Sequence, residues 1–212
     1  VNELSVAEQL VSDQRVGFFT FIGSGKVGWM LRSKLAPGVR CALEHGGVAP
    51  VIADTSADLD DTLPLIAKGG FYHAGQVCVS VQRVFAPRSI AGDVAERLAK
   101  FGKAMAIGDP TLEKTEVGPL IRTREVDRVS EWIEEAKKTG AICLTGGERI
   151  SDTAYACTVL LDPPQDARIS KQEIFGPAIC VYSYDEVDEA IKLANSLPYA
   201  CLLYTSPSPR DG

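Results

Sequence analysis

Apolar positions along the chain follow two spacings, one typical of buried strands and one typical of helices. Continuous apolar runs framed by glycine, proline or polar residues predict strands at 16–22, 39–43, 79–85, 141–145, 156–161 and 178–184. Apolar residues three and four positions apart predict helices at 5–11, 29–35, from near 58 to the glycines at 69–70, 89–105, 123–138 and 186–197. Because strands and helices alternate, the pattern predicts an α/β fold with a mainly parallel sheet flanked by helices.

One cysteine is notable for its place in this pattern. Cys78 follows the glycine-rich end of the third predicted helix and precedes the strand predicted at 79–85. A thiol at such a junction can be exposed and close to backbone N–H groups, which stabilise negative charge on an attacked carbonyl oxygen. These residues alone leave two interpretations open, a nucleophilic cysteine and a buried structural one.

A glycine-rich stretch lies between the first long strand and its helix. Residues Gly23 to Gly28 read G-x-G-x-x-G, the arrangement that binds a pyrophosphate at a helix N-terminus. A dinucleotide fingerprint of this kind places Glu44, at the end of the next strand, on a ribose. The glycines directly after Glu44 favour a tight turn instead, and a plain strand–helix turn stays open for Gly23 to Gly28.

Composition narrows the class of protein. The 212 residues are 45% hydrophobic and 24% charged, as in ordinary globular proteins, and a net charge of −6 without a basic stripe argues against a nucleic-acid partner. Six cysteines without C-x-x-C spacing and two histidines argue against a metal site. Several cysteines lie in apolar runs, as reduced thiols of cytoplasmic proteins do. No apolar run has the length of a membrane span, so no membrane partner is expected.

Four motifs together resemble the aldehyde dehydrogenase superfamily, in an order and at spacings typical of it. They are Phe21-Ile22-Gly23-Ser24 with Val27-Gly28, Leu43-Glu44-His45-Gly46-Gly47, Gly75-Gln76-Val77-Cys78 and Glu173-Ile174-Phe175-Gly176-Pro177. The motifs depart from the family's usual residues at two positions: His45 stands where a leucine is common, and Ile22 stands where a threonine is common. The resemblance implies an aldehyde dehydrogenase-like fold, with the C-terminal part of an incomplete Rossmann-like coenzyme domain at 1–47 and most of the catalytic domain at 48–200.

The resemblance also assigns the chemistry. Cys78 would attack the aldehyde, and Glu44, on the turn after its strand, would activate the water that hydrolyses the resulting thioester. Partial burial of that carboxylate would favour its role as a base. Gln76 is expected to shape the cysteine loop without a chemical role.

The coenzyme implied by the resemblance is NAD or NADP. Glu173 would accept hydrogen bonds from the nicotinamide ribose, and Phe175 would pack beside the nicotinamide. Gly23 and Ser24 would lie along the phosphates, where a missing Cβ permits close approach. The other partner would be a small-molecule aldehyde, and the parent enzyme would be a homodimer or homotetramer.

Other functions stay open beside this one. A member of the fold that serves only as a binding or structural protein has no chemical reason to keep both Cys78 and Glu44. A thioester hydrolase would use Cys78 with His73, although the family gives that histidine no catalytic role. Coenzyme A or phosphate could replace water as the acyl acceptor, but Glu44 favours water.

The ends of the chain suggest a fragment. The sequence starts at Val1 without methionine, and residues 201–212, which carry two prolines, resemble the translated end of a metagenomic sequencing read and are expected to lie outside the fold. The family's ribose-binding lysine and oxyanion-hole asparagine have no counterpart in the sequence. Little dehydrogenase activity is therefore expected of this polypeptide by itself.

Overall fold

A computed structural model gives the structure of residues 4–199. The chain divides into two compact units, one up to Gly47 and one from Val48 to Pro198. Their assignment to a coenzyme domain and a catalytic domain stays a prediction, and the tail predicted at 201–212 lies outside the described residues.

The first unit is a small parallel strand pair with two helices. Its elements are α1 (Leu4–Ser12), β1 (Phe18–Gly23), α2 (Gly25–Arg32) and β2 (Arg40–His45). The register runs from Phe18 opposite Arg40 to Gly23 opposite His45, and half-buried and exposed residues alternate along both strands. Helix α2 begins earlier than predicted because the Ser24 hydroxyl accepts a hydrogen bond from the Val27 N–H and caps the helix there.

The second unit is built around a five-stranded sheet. Its elements are β3 (Ala49–Ile52), α3 (Leu59–Phe71), β4 (Val81–Pro87), α4 (Arg88–Ala104), α5 (Thr123–Lys138), β5 (Ile142–Thr145), β6 (Thr158–Leu161), α6 (Arg168–Lys171), β7 (Ala178–Tyr184) and α7 (Val187–Ala194). The strand order is β3-β4-β7-β6-β5, and every neighbouring pair is parallel except β5–β6. The prediction of an α/β fold with a mainly parallel sheet is confirmed.

The central strands β4 and β7 are buried along most of their length, as expected of parallel strands covered on both faces. Helices α3 and α4 pack on each other and on these strands. These strands and helices share one hydrophobic core, and the amphipathic α5 packs one face into it. The buried residues on that face of α5 are Val126, Val129, Trp132, Ile133 and Ala136. The candidate site described below lies on loops attached to this sheet.

Some predicted boundaries are wrong for physical reasons. Helix α3 does not stop at the glycines 69 and 70 but continues to Phe71, because Gly70 is a packing position: a Cβ there would lie 2.5 Å from the Ile179 side chain. Strand β4 begins at Val81 and not at residue 79, because the Ser80 N–H bonds to the Val77 carbonyl and closes a turn before the strand. The edge strand β3 was not predicted, since Pro50 interrupts a very short apolar run.

Candidate active site

The segment before Cys78 is a tight turn with an unusual backbone. A 3₁₀ turn, Tyr72–Gly75, follows α3, and three consecutive residues adopt left-handed φ angles: 50° at His73, 55° at Ala74 and 70° at Gly75. Non-glycine residues adopt this conformation only where surrounding packing holds them there. Ala74 and Gly75 are buried, so the core of the second unit fixes the turn.

Cys78 lies in the next turn, at a defined place. The Ser80 N–H donates a hydrogen bond of 2.9 Å to the Val77 carbonyl, which closes a four-residue turn with Cys78 as its second residue. The Ser80 hydroxyl also donates to carbonyls at the end of α3, 3.2 Å away at Gly70. The thiol is half-buried, and within residues 4–199 no acceptor takes the Cys78 N–H. That N–H is available to a negatively charged oxygen beside the sulfur.

Gln76 ties the cysteine loop to a second loop. Its side-chain amide nitrogen donates to the His73 carbonyl at 3.1 Å and to the Pro119 carbonyl at 3.2 Å. Its amide oxygen accepts from the Ile121 N–H at 2.9 Å. These three bonds give Gln76 the loop-shaping role expected from the sequence.

The Glu173–Pro177 segment packs directly on the cysteine loop. A Cβ on Gly75 would lie 2.0 Å from the Gly176 carbonyl oxygen, so the two backbones are in close contact and only glycine fits at position 75. Glu173 is half-buried, whereas Phe175 is 40% exposed and has a left-handed φ of 45°. The fold thus brings together two motifs that lie far apart in the sequence.

An open groove of about 760 Å³ runs along this meeting point. Phe175 lies on one side, and the cysteine loop contributes Val77, the residue before Cys78. The other wall comes from the loop that Gln76 holds, including Glu116 and Ile121. The groove thus combines an exposed aromatic edge with polar groups, a lining that suits a flat ring bearing hydrogen-bonding groups.

Two residues that the sequence analysis did not single out hold the Glu173 segment. Gln82 on β4 hydrogen-bonds the backbone on both sides of Glu173, and Arg128 on α5 donates a 2.6 Å bond to the Ile174 carbonyl. The signal was present in part, because Gln82 and the adjacent Arg83 are polar residues inside a mostly apolar strand.

Gly23, Ser24 and Glu44 lie together in the first unit, at the carboxyl ends of its two strands. Gly23 ends β1, Ser24 caps α2 and accepts the Gly28 N–H with its carbonyl at 3.0 Å, and Glu44 is opposite Ile22 in the sheet register. Glu44 is the penultimate residue of β2 and is exposed. The predicted position on the turn after the strand is therefore wrong, and the described residues do not provide the partial burial that would favour Glu44 as a base.

The glycines of the first unit have a packing role as well. A Cβ on Gly28 would lie 2.5 Å from the His45 ring, so α2 sits closely over that histidine. Both ring nitrogens of His45 are buried without a hydrogen-bond partner among the described residues. The G-x-G-x-x-G stretch thus has a reason to be glycine-rich that is independent of any ligand.

Burial governs the environment of three other cysteines. Burial raises the pKa of Cys157 and of Cys180 to about 12, and it also raises the pKa of Cys143. These groups stay protonated thiols at neutral pH and are poor nucleophiles. All five cysteines in the described part of the chain are free.

His73 is not hydrogen-bonded to Cys78 in the described structure. Its side chain is exposed, and no hydrogen bond between the two side chains occurs in residues 4–199. In that same range no group of three or more potential metal ligands is present, and no helix is long and apolar enough to cross a membrane.

Known proteins similar to this chain point in one direction. The model of the aldehyde dehydrogenase family matches residues 2–205. A 3-sulfolactaldehyde dehydrogenase of Priestia aryabhattai is 38% identical over 195 residues, which are 92% of this chain and 40% of that protein. A benzaldehyde dehydrogenase [NAD(+)] of Pseudomonas putida is 36% identical over the same share of each chain.

Solved structures agree with the sequence comparison. Aldehyde dehydrogenase 21 of Physcomitrella patens, in complex with succinate, superposes with a TM-score of 0.86 at 34% identity, covering 91% of this chain and 40% of that one. Glyceraldehyde-3-phosphate dehydrogenase GapN of Methanocaldococcus jannaschii, complexed with NADP, gives a TM-score of 0.85 at 36% identity, with 91% and 41% covered. The chain thus spans about 40% of the length of the relatives it matches. The chain belongs to the aldehyde dehydrogenase family.

Proposed function

We propose that this chain is the cysteine-bearing part of an enzyme that oxidises an aldehyde to a carboxylic acid with NAD⁺ or NADP⁺. The observation that carries the proposal is the contact between Gly75 and Gly176, which joins the Cys78 loop to the loop of Glu173 and Phe175. A nucleophile and a coenzyme-binding segment must lie side by side for hydride transfer.

Cys78 is the proposed nucleophile. Its sulfur adds as a thiolate to the aldehyde carbon, and the carbonyl oxygen becomes an oxyanion that the Cys78 N–H stabilises. Loss of a hydride from the same carbon restores the carbonyl as a thioester on Cys78. Glu44 takes a proton from the water that then attacks this thioester and releases the acid.

The chain offers groups that fit the coenzyme. Glu173 is an acceptor for ribose hydroxyls, and the exposed ring of Phe175 borders the groove where a nicotinamide would lie. In the first unit, Gly23 and Ser24 stand at the N-terminus of α2, where backbone N–H groups attract phosphate. The coenzyme, when bound, accepts the hydride; NAD and NADP are both proposed, as relatives of both kinds are known.

The activity is proposed for a protein longer than 212 residues, called the longer enzyme below. The support is the 40% share of the relatives' length that the chain covers. Within it, residues 1–47 are the proposed end of the coenzyme domain and residues 48–200 most of the catalytic domain. The free cysteines fit a reducing compartment, and a cytoplasmic location is proposed on that ground.

Steady-state assays of the longer enzyme test this proposal. The complete reading frame is expressed, and reduced coenzyme is followed at 340 nm with a panel of aldehydes and NAD⁺ or NADP⁺. Activity is expected in the unchanged enzyme and a loss of at least about 10³-fold in Cys78→Ser. Cys180→Ser, at a buried thiol outside the site, is the matched control. Equal activity of the Cys78 and Cys180 variants would refute the proposal.

A Cys–His thioester hydrolase is the second candidate, and the geometry does not favour it. It needs His73 beside the thiol, whereas His73 is exposed and not hydrogen-bonded to Cys78. Thioester hydrolysis without coenzyme that is abolished by His73→Ala and retained in Glu44→Gln would support that candidate instead.

A further inference from the structure

Gln82 is a buried amide whose hydrogen bonds all go to one backbone segment. The residue is 4% exposed and lies on β4, four positions after Cys78. Its amide nitrogen donates to the Ile169 carbonyl at 2.7 Å and to the Gln172 carbonyl at 2.8 Å. Its amide oxygen accepts from the Ile174 N–H at 2.9 Å. Two of the three partners, Gln172 and Ile174, directly flank Glu173 in the sequence.

Only a primary amide of this length satisfies those partners. Two donors on one atom face two carbonyls, and one acceptor faces an N–H, so neither a carboxylate nor an apolar side chain makes all three bonds. An apolar replacement leaves three backbone groups without partners in a buried place. The neighbouring Arg83 is also buried, but its hydrogen bonds go to other segments, so Gln82 is the polar residue of β4 that contacts the Glu173 segment.

The segment that Gln82 holds has a strained backbone. Phe175 has a φ of 45°, a left-handed value that a residue with a Cβ adopts at a cost in free energy. The next residue, Gly176, lies between Gly75 and the Val129 side chain, and a Cβ there would be 2.6 Å from Val129. Arg128 adds a bond to the Ile174 carbonyl. The hydrogen bonds and the packing together keep Phe175 in this conformation.

We infer that Gln82 is the positioning residue that aims Glu173 and Phe175 at the nicotinamide half of the coenzyme. It acts through the backbone of the Glu173 segment and does not touch the coenzyme itself. Because Gln82 and Cys78 are on the same short stretch of chain, the amide fixes the coenzyme-binding segment relative to the strand that follows the nucleophile. The inference rests on the proposed function for the identity of the ligand. The hydrogen bonds that fix the Glu173 segment do not depend on that function.

Amide hydrogen exchange of the 212-residue chain tests whether the Gln82 hydrogen bonds fix the Glu173 segment. The variant is Gln82→Met, which keeps side-chain length and removes all three bonds. The matched control is Tyr184→Phe, which removes another buried hydrogen bond, from the Tyr184 hydroxyl to the Ala53 carbonyl, away from this segment. Exchange at Ile174 is expected to rise at least about 10-fold in Gln82→Met relative to the control. Equal exchange in the two variants overturns the inference.

Coenzyme binding to the longer enzyme tests whether Gln82 positions the Glu173 segment for the coenzyme. Isothermal titration with NAD⁺ is expected to give a dissociation constant at least about 10-fold higher for Gln82→Met than for Tyr184→Phe. The KM for the aldehyde should change less than the KM for the coenzyme. If both variants bind NAD⁺ like the unchanged enzyme, the inference is overturned while the proposed function stands. If the unchanged enzyme binds neither NAD⁺ nor NADP⁺, the proposed function fails, and with it the assignment of a ligand to Gln82.

A direct measurement on the unchanged chain covers the case in which Gln82→Met does not fold. The Ile174 N–H has its acceptor on a side chain that is 4% exposed. Its exchange should therefore be slower by at least about 100-fold than that of the Phe175 amide, which belongs to an exposed residue and has no acceptor within residues 4–199. Similar rates at the two positions overturn the inference without any variant.

Discussion

The contact between Gly75 and Gly176 gives the most specific prediction about stability. In the variant Gly75→Ala, the new Cβ would lie 2.0 Å from the Gly176 carbonyl oxygen and 2.5 Å from the carbonyl carbon. The clashing atoms are backbone, so no side-chain rotation relieves the overlap. The alanine would also have to keep the left-handed φ of 70° that the glycine has.

Two costs add up in this variant. Left-handed φ costs a residue with a Cβ about 1–2 kcal/mol. Overpacking of a well-packed site by one methyl group costs about 1–3 kcal/mol. The free energy of unfolding should therefore fall by about 3 kcal/mol, and for a chain of this size the Tm should fall by about 6–12 °C.

The control separates strain from overlap. Gly140 also has a positive φ, 122°, but nothing lies within 4 Å of a Cβ built there. Gly140→Ala should consequently show a strain component without an overlap component. Urea unfolding of both variants, followed by far-UV circular dichroism, compares them. A Gly75→Ala variant that loses no more than the strain cost of about 1–2 kcal/mol would show that the two loops are not in contact.

Three further predictions concern buried groups and the reactivity of the thiols. Burial raises the pKa of Cys157 and of Cys180 from 9.0 to about 12, so the unfolded chain loses these protons first as the pH rises. The stability contribution of each thiol is complete below pH 9 and falls by about 1.4 kcal/mol per pH unit towards pH 12. In urea unfolding, the free energy of unfolding of Cys180→Ala should therefore fall less steeply with rising pH than that of the unchanged chain. An equal dependence on pH in both proteins would contradict the raised pKa of Cys180. Limited alkylation with iodoacetamide, read by peptide mapping, should modify Cys78 well before Cys180, and the reverse order would contradict the half-buried turn. Arg83 is 4% exposed and donates to the carbonyls of Val48, Leu193 and Ala194, so Arg83→Met should lower the free energy of unfolding by about 3 kcal/mol, whereas a loss under about 1 kcal/mol would show that water replaces the guanidinium.

Much of the fold follows from periodicity in the sequence. The amphipathic pattern at 123–138 gives α5 with both ends correct, and the apolar run at 178–184 gives β7 in the same way. Both elements bury a large, regular set of apolar side chains, so the local pattern and the tertiary environment agree. The family motifs also predict that Cys78 and Glu173 lie on loops of the site.

What the sequence could not give depends on contacts between distant residues. The glycine pair at 69–70 reads as a helix end, yet the helix continues because Gly70 packs against Ile179 on another strand. Gln82 reads as a polar residue out of place until the Glu173 segment is seen beside it. Its partners lie about 90 positions away in the chain, and no local sequence pattern predicts such a pairing.

Mass spectrometry of Cys78 during the reaction tests the central claim most directly. The longer enzyme carrying Glu44→Gln is mixed with an aldehyde and NAD⁺ or NADP⁺, quenched in acid and mapped by peptide. We predict an acyl group on Cys78 in an amount equal to the reduced coenzyme formed, and none on Cys157 or Cys180. Reduced coenzyme without an acyl group on Cys78, or an acyl group on another cysteine, would contradict the account.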